Sequence, residues 1–143
     1  MSFELHARLQ QDCFAVGRFA LCRVLLMNDA NYPWFVLVPQ RPDVREIHDL
    51  NAPDRLQLMT ESCAFAVAMA RAYEPDKLNV ASLGNVVPQL HVHHIARYRD
   101  DPAWPAPVWG VVAPRPYAGD ERHARLARLR AALTGEFQWE SGT

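Results

Sequence analysis

The hydrophobic positions of the chain fall into short apolar runs and longer periodic stretches, which predict strands and helices respectively. Residues 20–27 (ALCRVLLM) and 34–38 (WFVLV) are two apolar runs, separated by the turn-forming sequence NDANYP at 28–33. Two such runs joined by a short turn predict an antiparallel hairpin. Further apolar runs at 78–83 (LNVASL) and 90–96 (LHVHHIA) predict two more strands.

Two longer segments have the apolar spacing of helices. The first begins near Asn51, a favoured N-cap residue, and ends before Pro75. Apolar residues recur along it every three or four positions, which predicts one buried stripe. That stripe consists of Leu56, Met59, Cys63, Val67 and Ala70. A second helix is predicted over 119–133, and a short one within residues 3–14.

These elements combine into one α+β domain. The strands favour an antiparallel sheet, with the long helix packed on one face and a C-terminal helix after it. We assign residues 1–135 to this domain, a size that one core can support. Residues 100–116 hold five prolines and two tryptophans and predict an irregular loop. Residues 136–143 are expected to form a flexible tail.

Charge and cysteine content argue against several classes of protein. The net charge is −1 and Lys77 is the only lysine, so the many cationic contacts that hold long nucleic acids are missing. The three cysteines are widely spaced in apolar sequence, which is typical of reduced thiols. No apolar run approaches the roughly 20 residues that span a bilayer, and the first residues do not resemble a signal peptide. We therefore expect a soluble cytoplasmic protein without a membrane partner.

The chemistry of the chain is concentrated in the run QLHVHH at 89–94. Alternate side chains of a strand share a face, so Gln89, His91 and His93 are expected to project together. His94 is expected on the opposite, mostly apolar face. A row of polar groups is costly to bury without partners and suits a wet pocket.

The residues alone leave three interpretations of these histidines open. They can form a polar face of the sheet, a metal site or a catalytic pair, in which one ring attacks and the other donates a hydrogen bond. A metal site would need a remote third ligand, such as His48 or His6, because no Cys, Asp or Glu adjoins the pair.

The stretch VPQLHVHHI at 87–95 resembles the signature of the histidine triad (HIT) superfamily, in which three histidines alternate with apolar residues. His91 aligns with the middle histidine of that signature and His93 with the last. The predicted hairpin, the long helix from residue 52 and the strand from residue 78 also follow the order of that family. The resemblance covers about residues 15–110 and implies a HIT-like fold.

The resemblance also implies a mechanism. His91 would attack the α-phosphorus of a nucleotide and form a nucleotidyl-histidine intermediate, which water or another acceptor then releases. His93 would donate to the phosphoryl oxygens, and Gln89 would orient the nucleophile. Relatives act on purine nucleotide phosphoramidates or dinucleoside polyphosphates, usually as homodimers. On this reading we expect neither a cofactor nor a bound metal.

Three further residues are candidate substrate contacts by the same resemblance. Asn28, at the end of the first hairpin strand, matches a position that binds ribose hydroxyls. Asn85, just before the motif, matches a polar residue that contacts the phosphate or the leaving group. Both asparagines also suit turns independently of any ligand. Trp104 lies in the segment after the motif, which in relatives can close over the site.

Two residues depart from the family pattern. Gln89 stands in place of the first histidine; it can donate and accept hydrogen bonds but cannot carry a proton. A nucleotide-binding module with little turnover is therefore the alternative function. His94 stands where an apolar residue is expected, and its face predicts a structural role.

Two arginines follow the motif. Arg97 and Arg99 share the strand parity of His91 and suit phosphate binding through their planar guanidinium groups. They equally suit pairing with Asp100 and Asp101 at the surface. The residues alone leave both readings open.

Overall fold

A six-stranded sheet forms the centre of the fold, as shown by the computed structural model, which describes residues 2–143. The strands are β1 (Cys13–Arg18), β2 (Cys22–Met27), β3 (Trp34–Pro39), β4 (Lys77–Ala81), β5 (Val92–Arg97) and β6 (Gln138–Trp139). The helices are α1 (Ala7–Asp12), α2 (Ala52–Tyr73) and α3 (Glu121–Ala132), with a 3₁₀ turn at Ile47–Asp49. Every strand pairing is antiparallel, in the order β4-β5-β3-β2-β1-β6.

The predicted hairpin is confirmed as β2 and β3, which pair Val24 with Leu37 and Leu25 with Val36. The histidine strand β5 lies inside the sheet, where it pairs His93 with Val36 of β3 on one side and with Ala81 of β4 on the other. Because both neighbours fix its register, the directions of its side chains are firmly set.

One face of the sheet is covered by α2 and α3, as predicted for the long helix. Asn51 caps α2 by accepting a hydrogen bond from the backbone N–H of Asp54 at 2.9 Å. The predicted buried stripe is wrong, however: Leu56 is 70% exposed and Met59 is 61% exposed. The buried face instead comprises Leu58, Glu61, Ser62, Phe65, Ala68, Met69, Ala72 and Tyr73.

This error has a physical cause. Apolar residues occur on more than one side of α2, so their spacing does not decide which side packs on the sheet. Two polar residues lie on the side that does. Glu61 accepts hydrogen bonds from the backbone N–H groups of Leu21 and Cys22, at 2.9 and 2.8 Å, and Ser62 pairs with His94. These partners offset the cost of burying polar groups.

The other face of the sheet carries a second apolar cluster that the sequence did not predict. It is covered by residues 3–12, which we call the N-terminal segment, and by the loop between β5 and α3 instead of a long helix. Its buried members are Leu9, Leu25, Tyr32, Trp34, Val36, Val38, Val87, Ile95, Ala103 and Val108. We call this side of the sheet the loop face and the other side the helix face.

The short helix predicted near the N-terminus is confirmed, whereas the C-terminal residues contain a strand that was not predicted. The N-terminal helix ends at Asp12, and β1 begins directly after it. Residues 136–143, expected as a flexible tail, contain β6, which pairs Gln138 with Arg18 and Trp139 with Gly17. A side chain at Gly17 would collide with the backbone carbonyl of Gln138, so glycine permits this close approach. No helix in residues 2–143 has the length and hydropathy needed to cross a membrane.

Candidate active site

The predicted nucleophile His91 stands immediately before β5 and is held by a backbone carbonyl. Its Nδ1 lies 2.6 Å from the carbonyl oxygen of Gln89. A carbonyl oxygen only accepts, so Nδ1 carries the ring proton and Nε2 keeps its lone pair. Burial lowers the pKa of His91, which favours the neutral ring near pH 7. This is the protonation state that a nitrogen nucleophile requires.

His93 has the opposite arrangement. The indole Nε1–H of Trp34 donates to His93 Nδ1 at 3.0 Å. Indole is a donor only, so Nδ1 must be the acceptor and the proton of the neutral ring is on Nε2. Burial, reinforced by the neighbouring His91 and His94, lowers the pKa of His93 to about 3. His93 is therefore a neutral Nε2–H donor.

The two rings form one unit, with centroids 4.9 Å apart and planes at 70°. They line a cavity of about 210 Å³ together with Asn85 and Trp109. A second cavity of about 330 Å³, lined by Asn28, Asp29 and Trp34 among others, adjoins it. Arg8, Asp12 and Met27 line both, so the two cavities lie side by side, and we refer to them together as the groove.

A larger cavity of about 540 Å³ lies elsewhere, between residues 18–20 and 135–138. It contains no histidine, cysteine or other strong nucleophile. The chemistry of the lining residues, not the volume, therefore identifies the groove at His91 and His93 as the candidate active site.

The expected role of Gln89 is corrected by the structure. Its side chain forms no hydrogen bond with His91. Its Oε1 accepts from the backbone N–H of His6 at 2.9 Å, and its Nε2 donates to the carbonyl of Glu4 at 2.9 Å. The group that orients His91 is the backbone carbonyl of Gln89, which any residue at this position would supply.

Both predicted asparagine contacts lie on the groove. Asn85 lines the part that contains the histidines, and Asn28 lines the adjoining part. The Oδ1 of Asn28 accepts from the backbone N–H of Tyr117 at 2.9 Å, so it also anchors the loop after β5. Asp29 beside it is 5% exposed and accepts from the backbone of Asn31. Ribose binding by Asn28 stays a prediction.

Trp104 is not at the site, contrary to prediction. Its ring lies over the Arg97 guanidinium at 5.8 Å, and it lines neither part of the groove. Trp109 of the same loop takes that place, with its ring 5.0 Å from His93 and 5.6 Å from Trp34. The sequence shows two tryptophans in one irregular loop and offers no periodicity to choose between them.

The remaining polar residues of β5 have structural partners. His94 points to the helix face, where its Nε2 lies 2.7 Å from the hydroxyl of Ser62. Arg97 forms two bonds to Asp101, at 2.8 and 3.0 Å, with both side chains at most 3% exposed. The structure therefore shows Arg97 paired with an aspartate instead of free to bind phosphate, and the pair is buried instead of lying at the surface. No third His, Cys, Asp or Glu within residues 2–143 joins the histidines as a metal-binding group.

Comparisons with known proteins agree with this geometry. The sequence model of the HIT domain matches residues 8–100. A histidine triad protein from Bradyrhizobium japonicum is 46% identical, with a TM-score of 0.91, and the match covers 94% of this chain and all of that one. One from Marinobacter aquaeolei is 47% identical, with a TM-score of 0.89 and coverage of 93% and 97%. One from Sinorhizobium meliloti is 41% identical, with a TM-score of 0.89 and coverage of 92% and 97%. A search of curated proteins found no match.

Proposed function

Since this chain belongs to the HIT family of nucleotide-binding hydrolases and transferases, we propose that it cleaves purine nucleotide phosphoramidates or dinucleoside polyphosphates through a nucleotidyl-histidine intermediate. The observation that carries the proposal is the pair of complementary ring tautomers. His91 presents a bare Nε2 and His93 presents an Nε2–H, side by side in one groove.

In the first step, Nε2 of His91 attacks the α-phosphorus and the bond from phosphorus to the leaving group breaks. The leaving group departs with the bonding electron pair, as a phosphate anion from a dinucleoside polyphosphate or, after taking a proton from solvent, as an amine from a phosphoramidate. The His91 ring becomes cationic, because Nδ1 keeps its proton while Nε2 bonds to phosphorus. The Gln89 carbonyl, 2.6 Å from Nδ1, stabilises that cation through a charge-assisted hydrogen bond. His93 donates from Nε2 to a phosphoryl oxygen, where negative charge develops.

In the second step, water attacks the same phosphorus and the P–N bond to His91 breaks. The nucleoside monophosphate leaves, a proton passes to solvent, and His91 returns to its starting tautomer. Because Nδ1 never loses its proton, the carbonyl fixes the ring orientation in both steps. Transfer to an acceptor other than water would follow the same sequence of bonds.

The alternative function is nucleotide binding with little turnover. The bonding of Gln89 supports this alternative. Its side chain is bound to the backbone of residues 4 and 6, and an amide cannot relay a proton. In that case the His91 adduct would form or nucleotide would bind, but release would be slow.

Mass spectrometry after brief mixing with an adenosine phosphoramidate, and separately with diadenosine tetraphosphate, tests both functions. We expect a nucleotidyl adduct in the wild type and AMP release, both abolished in His91→Ala. His48→Ala is the matched control, because His48 has an 82% exposed side chain and lies outside the groove. An adduct without turnover, or binding without either, favours the binding module. Nucleotide release that survives His91→Ala overturns the mechanism.

The homodimer implied by the family and cytoplasmic localisation stay proposals. The exposed apolar side chains of α2, Leu56, Met59 and Val67, support a helix-mediated contact with a second copy. Sedimentation equilibrium of the wild type and of Met59→Glu tests it. A wild-type monomer at micromolar concentration would contradict the dimer.

A further inference from the structure

The N-terminal segment forms one wall of the candidate active site. Leu9 is 3% exposed and packs into the loop-face cluster with Trp34 and Val87. Arg8 and Asp12, which flank Leu9 on α1, line both parts of the groove. This segment precedes the histidine motif by about 80 residues in sequence, yet it lies directly against the groove.

Gln89 fastens this wall. Both polar atoms of its amide bind backbone groups of the segment, one at His6 and one at Glu4, each at 2.9 Å. The carbonyl of the same residue holds His91 at 2.6 Å. One residue therefore sets the position of the nucleophile through its backbone and the position of the N-terminal wall through its side chain.

The charge balance of the groove leaves a role for that wall. Both catalytic candidates are neutral rings, held so by burial, which lowers the pKa of His91 and of His93. A nucleotide phosphate is an anion, and neutral donors alone leave its charge without a counterion. Among the residues that line either part of the groove, Arg8 is the one arginine or lysine. Asp12 and Asp29 also line it; Asp12 accepts from Arg8, and Asp29 accepts from the backbone N–H groups of Asn31 and Arg115, so Arg8 is the one group there that can neutralise an anion.

The location and bonding of Arg8 fit a phosphate contact. Arg8 lies where the part of the groove that contains the histidines meets the part lined by Asn28. In a nucleotide the α-phosphate lies between the ribose and the leaving group, so a nucleotide bound along the groove would bring its phosphate near Arg8. Its Nε bonds to Asp12 at 2.9 Å, in a pair whose side chains are 54% and 40% exposed. Such exposed pairs contribute little stability, so the guanidinium can turn towards a ligand at low cost. Its two terminal nitrogens form no hydrogen bond within residues 2–143 and match two phosphate oxygens.

We propose that Arg8 binds the phosphate of the bound nucleotide and that the Gln89 side chain is the positioning residue that holds Arg8 at the groove. This inference rests on the proposed nucleotide function. The inference also explains the glutamine at the first triad position. An imidazole could carry a proton there, whereas the amide of Gln89 binds the backbone of the N-terminal segment.

Calorimetric titration with AMP and with adenosine tests the role of Arg8. We expect Arg8→Gln to weaken AMP binding about tenfold, the value of one charge-assisted contact, and to leave adenosine binding unchanged. Arg71→Gln, with the same charge change on an exposed position of α2, should change neither. Equal loss for AMP and adenosine, or no loss for AMP, overturns the proposal. If the wild type binds neither compound, the proposed function itself fails.

A double-mutant cycle tests the role of Gln89. In Gln89→Ala, AMP affinity should fall, and adding Arg8→Gln should then change it less than about twofold, because Arg8 is no longer held at the groove. Gln89→Glu keeps the acceptor for the His6 N–H and should recover part of the Arg8 effect. A full tenfold Arg8 effect in the Gln89→Ala background overturns the positioning role. Thermal unfolding of each variant confirms that the comparison is made on folded protein.

Discussion

The two faces of the sheet use the same residue type for different purposes. On the helix face, His94 is bonded to the hydroxyl of Ser62 and packs edge-on against Phe65. On the loop face, His91 and His93 open onto a groove. Burial lowers the pKa of all three histidines, that of His94 to about 4. A shifted pKa therefore does not separate catalytic from structural histidines here; ring partners and access to a cavity do.

The faces also differ in what holds them together. The helix face is mainly an apolar core under two helices. The loop face is covered by irregular chain, whose backbone groups need specific partners. Asp101 supplies several of them, because it accepts from the backbone N–H groups of Tyr98, Ala103 and Trp104 as well as from Arg97.

We expect the largest effect from breaking the buried ion pair between Arg97 and Asp101. Asp101→Asn leaves the Arg97 guanidinium buried without a counterion, and we expect the free energy of unfolding to fall by about 3–5 kcal/mol. Urea unfolding monitored by circular dichroism measures it. Asp100→Asn is the control, because the neighbouring carboxylate is exposed. A loss below about 1 kcal/mol would show that the loop face does not depend on this pair.

Exchanging one histidine on each face tests the comparison directly. His93→Gln should lower kcat/KM about 100-fold, the usual effect of losing a donor to a developing oxyanion, and should reduce the free energy of unfolding by about 1–3 kcal/mol because the Trp34 N–H loses its acceptor. His94→Gln should leave kcat/KM nearly unchanged but reduce the free energy of unfolding by about 1–3 kcal/mol, because the Ser62 hydroxyl loses its partner. Steady-state kinetics and urea unfolding on both variants provide the test. A large loss of kcat/KM in His94→Gln with none in His93→Gln would place catalysis on the helix face and contradict the proposal.

The sequence was sufficient for the hairpin, the N-cap at Asn51 and the opposite directions of His93 and His94. Each depends on local chemistry or on the strict period of a strand. The two neighbouring histidines could therefore be assigned to different faces from the sequence alone. The resemblance to the HIT family, not a local rule, made Asn28 and Asn85 candidate contacts, and both line the groove.

The rest depends on contacts between distant parts of the chain. The bond from Gln89 to His6 joins residues 83 positions apart, and strand parity says nothing about which group of a side chain reaches which partner. The side of α2 that packs on the sheet is the side on which Glu61 and Ser62 find hydrogen-bond partners, and the spacing of apolar residues does not reveal those partners. Trp109 lies in a loop without periodicity, so its selection over Trp104 is a matter of loop folding.

Acid should weaken the protein through the buried histidines of both faces. The folded-state pKa values, about 3 for His93 and about 4 for His94, lie below the ordinary 6.5, so the unfolded chain binds more protons between these limits. Stability is complete above about pH 6.5 and falls as the pH drops, by about 1.4 kcal/mol per pH unit for each group. Urea unfolding between pH 4.5 and 7 measures this slope.

The contribution of one face can be removed from that slope. His94→Gln should flatten it by the share of one group, about 1.4 kcal/mol per pH unit. His48→Gln, at an exposed position, should leave it unchanged. An unaltered slope in His94→Gln would mean that the ring takes up its proton in the folded state as readily as in the unfolded chain.

The smallest expected effect concerns the hydrogen bond that fixes the His93 tautomer. Trp34→Phe keeps an aromatic ring in the loop-face cluster but removes the N–H that donates to His93 Nδ1 at 3.0 Å. The His93 ring can then exchange its proton between the two nitrogens, and its pKa should rise because protonation of Nδ1 no longer displaces a donor. We expect a loss of about fivefold in kcat, the value of one ordinary hydrogen bond, and nitrogen chemical shifts that change from one tautomer to a mixture. Trp109→Phe is the matched control, since that indole packs against the same ring without bonding to it. If the two variants give the same His93 titration and the same tautomer, then packing and burial alone set the state of His93, and the Trp34 N–H has no part in distinguishing the loop face from the helix face.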